Sequence, residues 1–173
     1  MYNNLETKSV QNLVKTKFSK YFILFISFGL LFTLQSNAQE TTGIQNKKLL
    51  QSYLEIKDTL VKGNVQNAST GATQFLDALK TADLQKEGKL GESLSQSATA
   101  IVNATDLVSQ REKFNSFSND FIKLAGKQKL SVGPLYKQYC PMKKAYWLSA
   151  SKNIENPYYG SAMLTCGVVK ETL

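Results

Sequence analysis

The sequence contains no histidine, and this absence narrows the functions open to the protein. Without an imidazole the chain cannot build a Ser-His-Asp or Cys-His catalytic group, a zinc site with histidine ligands, or a blue-copper site. The glycines at 63, 71, 88 and 91 form neither a phosphate-binding loop nor a dinucleotide-binding motif. We therefore expect that the protein is not an enzyme.

Arginine is nearly absent as well, because Arg111 is the single arginine in a chain with a net charge of +8. The excess positive charge is thus carried by lysines, which are scattered along the chain rather than gathered in one block. Such a distribution is typical of a solvated lysine surface. We expect no nucleic-acid partner.

The longest apolar run of the sequence lies near its N-terminus and is short. Several lysines precede the run Tyr21–Leu34, and the small residues Ser36 and Ala38 follow it. This order is typical of a secretory signal peptide over residues 1–38. A retained membrane anchor is the alternative, but the run is shorter than the about 20 residues that a spanning helix needs. We expect residues 39–173 to form one domain in the periplasm or outside the cell, not inserted in the membrane once the signal is removed.

Helical periodicity dominates residues 45–126, where apolar side chains recur at spacings of three and four. Four apolar stripes follow one another, namely Leu49 to Leu60, Val65 to Ala82, Leu94 to Val102 and Leu107 to Leu124. Phe114, Phe117 and Phe121 share one face of the last stripe and are expected to lie in the core. The pattern predicts an all-α fold, with an up-down four-helix bundle over residues 39–126.

The breaks between the stripes are marked by residues that favour helix ends. Gly63-Asn64 is expected to end the first helix, and the polar segment Leu84–Gly91 to form a loop. Asp106 can cap the fourth helix, and Gly126 is expected to close it.

Proline is confined to residues 127–173, which also hold six aromatic residues. Pro134, Pro141 and Pro157 prevent a continuous helix there, whereas the aromatic content is too high for a disordered tail. We expect a loop-rich C-terminal cap on the bundle, with short extended segments at Leu135–Tyr139 and Val168–Glu171.

Sulfur is also scarce, yet most of it lies at the two ends of one segment of this cap. Cys140 and Met142 stand at one end, and Met163 and Cys166 stand at the other. If these four side chains converge, two thiolates and two thioethers form a soft ligand set that suits Cu(I). The alternative is a Cys140–Cys166 disulfide, which is the simpler expectation for an exported chain on these residues alone. A thiol oxidoreductase is a weaker third hypothesis, because the two cysteines lie too far apart in sequence to form a C-x-x-C motif.

A family resemblance favours the metal hypothesis over the disulfide. The segment LYKQYCPMKKAYWLSASKNIENPYYGSAMLTCGVV, with LLQSYLEIKDTLVKGN and REKFNSFSNDFIKLA, resembles domain-of-unknown-function family number three-three-four-seven over residues 45–172. Members occur alone or attached to periplasmic adaptors of copper and other heavy-metal efflux systems. The resemblance implies a helical bundle and a role in metal handling, with the matching ligands Cys140, Met142, Met163 and Cys166.

These observations lead to a hypothesis for the function. We expect an exported, monomeric heavy-metal-binding protein that captures or buffers Cu(I), with Ag(I) as a second candidate ion, and transfers it to an efflux adaptor or transporter. The alternative is a non-catalytic helical interaction domain, without a cofactor, whose tail is stapled by a Cys140–Cys166 disulfide.

Overall fold

A computed structural model describes residues 43–82, 84 and 87–173 of the chain. Residues 42–173 form one compact unit. The predicted signal peptide, residues 1–38, lies outside the described residues. None of the described helices is both long enough and apolar enough to cross a membrane.

Four helices make up most of the described structure. The chain is helical over residues 43–62 (α1), and three helices follow in order, α2 Val65–Thr81, α3 Lys89–Asn103 and α4 Leu107–Lys127. Helix α3 packs against α2 and α4. The helix count agrees with the four apolar stripes, whereas the up-down order of a bundle stays a prediction.

Two of the predicted helix boundaries are confirmed, the Gly63-Asn64 break after α1 and the Asp106 cap of α4. Gly63 adopts a φ of 73° between α1 and α2, a conformation that favours glycine. The side chain of Asn64 then caps α2 by accepting a hydrogen bond from the Asn67 backbone N–H at 2.9 Å. Asp106 caps α4 in the same way, through the Ser109 backbone N–H at 2.9 Å.

Two predicted boundaries are wrong. Gly126 does not close α4, because the helix continues to Lys127 and the backbone N–H of Gln128 donates to the Leu124 carbonyl. The predicted loop Leu84–Gly91 is shortened at its end, because α3 already begins at Lys89. In both cases an isolated glycine is accommodated inside a helix whose apolar face is buried.

The core of the helical part is aromatic, as the sequence predicts. Tyr53 of α1 stacks on Phe121 of α4 with ring centroids 4.2 Å apart. Phe75 of α2 meets Phe117 edge to face at 4.7 Å. Phe114 is fully buried beside them, so the phenylalanine stripe of α4 is confirmed as core.

The prediction of an all-α fold is correct only in part, because the four helices are accompanied by a small antiparallel sheet in the C-terminal part. Its strands are β1 Tyr136–Cys140, β2 Ala145–Ser149 and β3 Val168–Thr172, in the order β2-β1-β3. The two predicted extended segments correspond to β1 and β3. Strand β2 was not predicted. A strand of five residues is stable only when a neighbouring strand pairs with it, and this pairing is not visible in the local sequence.

A buried chain of hydrogen bonds joins the sheet to the helices. The Tyr53 hydroxyl accepts from the Leu148 backbone N–H at 2.9 Å and bonds to the Ser118 hydroxyl at 2.6 Å. Ser118 and Tyr158 in turn donate to the carbonyl of Tyr146 at 3.0 and 2.6 Å. Burial raises the pKa of the Tyr53 and Tyr158 phenols, so their hydroxyls remain protonated and can donate. The sheet is thereby held in one position on the helical part.

Candidate metal centre

The structure brings the two cysteines together although many residues separate them in sequence. Cys140 is the last residue of β1, and Cys166 lies just before β3. Because β1 and β3 are neighbours in the sheet, the two Sγ atoms lie 3.8 Å apart. Both cysteines are free thiols, Cys140 fully buried and Cys166 partly exposed. The position of the pair is therefore set by the pairing of β1 with β3.

A tight turn between β1 and β2 directs backbone N–H groups at both sulfur atoms. The turn runs over residues 141–144, and Lys144 adopts a φ of 54°, which is uncommon outside glycine. The Lys143 backbone N–H donates to the Cys140 sulfur at 3.4 Å. Burial and the neighbouring Cys140 raise the pKa of the Cys166 thiol, while the Met142 backbone N–H partly opposes this rise. The net effect is a raised pKa, so the Cys166 sulfur carries its proton until a metal ion displaces it.

The segment that carries Cys166 is held against the sheet by Asn156. The side-chain amide of Asn156 donates to the Cys166 carbonyl at 2.7 Å, and its oxygen accepts from the Tyr158 backbone N–H at 2.9 Å. The next residue, Gly167, passes close over the indole, since a Cβ there would lie 2.8 Å from Trp147. A side chain at position 167 would push Cys166 away from Cys140.

Both methionines of the predicted ligand set are exposed to solvent. Met142 is in the turn after Cys140 and its side chain is 65% exposed. Met163 ends a short 3-10 helix, Gly160–Met163, and is 36% exposed, while its carbonyl accepts from the Cys166 backbone N–H at 3.0 Å. Neither thioether is buried among the helices. The four-ligand set stays a prediction, and what the structure shows is that the two cysteine sulfur atoms lie 3.8 Å apart.

Aromatic side chains cover the buried side of the cysteine pair. Trp147 is fully buried and meets Tyr158 edge to face at 6.0 Å. Tyr158 also lies close enough to Cys140 for that sulfur to contribute to the raised pKa of its phenol. A metal held here would be shielded from water on this side, as protein metal sites often are.

The donor set and its spacing fit a soft metal ion. Two sulfur ligands at about 2.3 Å from one tetrahedral ion stand about 3.8 Å apart, which matches the distance of 3.8 Å between the two sulfur atoms. Within the described ranges, no group of three or more His, Cys, Asp or Glu side chains could hold a metal ion. Any third ligand would therefore have to be a thioether, a backbone atom or an external molecule.

Sequence analysis missed the polar side chains that shape the surroundings of the centre. Gln138 of β1 is fully buried, and its amide nitrogen donates to the carbonyls of Ser151, Lys152 and Asn153 at 2.9, 3.3 and 3.1 Å. This clamp orders the loop after β2. The sequence offered no signal for this role, because Gln138 follows Lys137 in β1 and its burial appears only in the structure.

Comparison with known proteins gives one match. Residues 49–132 match the model of a family described as "Protein of unknown function (DUF3347)". The match covers the helices and stops before β1, whereas the resemblance seen in the sequence continued to residue 172. No curated protein and no solved structure matches the chain.

Proposed function

Because this chain belongs to the DUF3347 family of unknown function, we propose a function from its own residues, namely that it is an exported, non-catalytic protein that binds Cu(I). Cys140 and Cys166 supply the two thiolates. Met142 and Met163 supply thioethers from the solvent side. The protein buffers the ion or transfers it by ligand exchange to a heavy-metal efflux adaptor or transporter.

The observation that carries this proposal is the 3.8 Å distance between the Cys140 and Cys166 sulfur atoms. Thiolate and thioether ligands favour soft ions such as Cu(I) and Ag(I) over Mg²⁺ or Ca²⁺. Lys143 and Lys144, in the turn after Cys140, lie close in sequence to the pair and partly offset the negative charge of two thiolates.

The exposed methionines suit transfer better than permanent storage. A thioether is a weak ligand that an incoming partner can replace, and Met142 is 65% exposed. Cys140 stays buried and retains the ion while the outer ligands are exchanged. Residues 1–38 carry the features of a signal peptide, which agrees with a role outside the cytoplasm.

The proposal is tested by titrating the reduced protein with Cu(I) under anaerobic conditions against a chromogenic Cu(I) chelator. We expect one ion per chain, with affinity lowered at least about 100-fold by Cys166→Ser and about tenfold by Met142→Leu and by Met163→Leu. Leu164→Ala is the matched control, because Leu164 is 39% exposed beside Met163 and offers no ligand.

The titration also has outcomes that contradict the proposal. Binding that is weak and unchanged in all three ligand variants would exclude the centre. Binding that is lost in Cys166→Ser but unchanged in both methionine variants would reduce it to a site without thioether ligands. A preference for Zn²⁺ over Cu(I) would contradict the assignment of the ion.

The same sulfur distance supports one alternative function. If the two thiols are oxidised where the protein acts, the domain is an interaction module whose tail is stapled by a Cys140–Cys166 disulfide. A thiol count separates the two, on protein isolated from the exporting cell and alkylated rapidly in denaturant with a Cu(I) chelator, so that metal-bound thiolates also react. Alkylation of both cysteines favours the metal site, whereas alkylation of neither cysteine favours the disulfide.

A further inference from the structure

The two cysteines differ in their access to solvent. Cys140, the last residue of β1, is fully buried, whereas Cys166 is partly exposed. A reagent in solution therefore reaches Cys166 more readily than Cys140. An exposed thiol backed by a second thiol at 3.8 Å has the arrangement of an attacking and a resolving cysteine.

We propose that the pair is a thiol–disulfide exchange site for low-molecular-weight disulfides, in which Cys166 attacks first and Cys140 resolves the product. The inference does not require that the pair bind a metal. It assigns to the same cysteines a covalent reaction that the copper-binding function does not include.

The reaction proceeds in two steps that balance. The Cys166 thiolate attacks one sulfur of a small-molecule disulfide, which forms a mixed disulfide at Cys166 and releases one thiolate of the reagent. The Cys140 thiolate then attacks the Cys166 sulfur, which forms the Cys140–Cys166 bond and releases the second thiolate. The protein loses two electrons and two protons, and the disulfide is reduced to two thiols.

The geometry favours the second step. A disulfide has an S–S length of about 2.05 Å, so sulfurs that start 3.8 Å apart must approach by less than about 2 Å. Cys166 lies between Thr165 and Gly167 in a connection outside the strands, where such a shift disturbs no ladder hydrogen bond.

The choice of a small molecule rests on the surroundings of Cys166. The segment on both sides of it is held down by the Asn156 hydrogen bond to its own carbonyl and by the close approach of Gly167 to Trp147. Cys166 is only partly exposed, so a small disulfide meets less steric hindrance at its sulfur than a disulfide within a folded protein. The oxidised pair has no thiolate left for Cu(I), so exchange and metal binding exclude each other.

The test follows the reaction of the reduced, metal-free full chain with oxidised glutathione by intact-mass measurement. For the native chain we expect loss of two hydrogens with no lasting glutathione adduct. In Cys140→Ser we expect a stable adduct of one glutathione at Cys166. In Cys166→Ser we expect adduct formation at least about tenfold slower than in Cys140→Ser, because the remaining thiol is buried.

Two outcomes would overturn the proposal. A lasting adduct on the native chain would exclude resolution by Cys140, and equal adduct rates in the two variants would exclude the order of attack. Because Cys140→Ser alters a buried position, the order is checked again on the native chain by alkylation with limiting iodoacetamide, followed by peptide mapping. Cys166 must be labelled first, and equal labelling would contradict the assignment. None of these readouts involves copper, so their failure is distinct from failure of the copper titration.

Discussion

The helical part, residues 43–127, and the C-terminal part, residues 128–173, are stabilised in different ways. The helices bury a continuous apolar core of Tyr53, Phe75 and the α4 phenylalanines. The C-terminal part adds to the buried Trp147 and Leu148 two polar residues, Gln138 and Asn156, each of which satisfies several backbone groups. A broad apolar face tolerates small changes of sequence, whereas a clamp made by one amide does not.

The largest effect should come from the helical core. Phe117→Ala removes a fully buried ring between α2 and α4, and we expect unfolding free energy to fall by about 3–5 kcal/mol. Urea unfolding followed by circular dichroism measures this loss. Val108→Ala, at a 68% exposed position of the same helix, is the control and should cost little. At a low temperature, where Phe117→Ala stays folded, the Cys140–Cys166 disulfide should form at the same rate as in the native chain. A large change in this rate would contradict the separation of the two regions.

The matching substitution in the C-terminal part is Asn156→Ala. It leaves the Cys166 carbonyl and the Tyr158 backbone N–H without their partner, and we expect a loss of about 3 kcal/mol. Unlike Phe117→Ala, it should also slow closure of the Cys140–Cys166 disulfide, because Cys166 is no longer held beside Cys140. Asn153→Ala, an exposed asparagine in the preceding loop, serves as the control in both assays. Unchanged closure kinetics would show that Asn156 does not position Cys166.

The connection between the regions is tested by Tyr53→Phe. The change removes the acceptor of the Leu148 N–H and a hydrogen-bond partner of Ser118, and we expect a loss of about 2 kcal/mol. Trp147 is the one tryptophan of the chain and lies in β2, so its fluorescence reports on the C-terminal part while circular dichroism reports on the helices.

The two signals should change together in the native chain and separate in Tyr53→Phe. Tyr158→Phe is the matched control. Its loss should be smaller, because the Tyr146 carbonyl keeps the hydrogen bond from Ser118. Coincident transitions in Tyr53→Phe would mean that packing alone couples the regions.

The smallest effect is expected at a helix end. Asn64→Ala removes the cap of α2 and should cost about 1 kcal/mol in unfolding free energy. Gln66→Ala, an exposed change in the first turn of the same helix, should be nearly neutral. Neither variant should alter the reaction of Cys166 with glutathione, and a slower reaction in Asn64→Ala would indicate that the regions are more strongly coupled than the contacts suggest.

The helical part was largely predictable because its signals are local. Side chains at spacings of three and four lie on one face of a helix whatever the rest of the chain does, so Phe114, Phe117 and Phe121 could be assigned to the core in advance. Caps such as Asn64 and Asp106 act on the next few residues and are equally local. Gly126 misled the prediction, because packing of α4 outweighed the low helix propensity of one residue.

The sequence by itself determined four amphipathic helices and an aromatic core. It also determined that few side chains can do chemistry, which leaves the sulfur atoms as the main candidate for a functional site. Only the tertiary structure decided that β2 exists, that Tyr53 reaches Leu148, and that Cys140 meets Cys166. The physical reason is that strand pairing and side-chain contacts between distant residues depend on the register of the whole sheet, which no short stretch of sequence encodes. Helix faces depend on neighbours three and four residues away, which every short stretch contains.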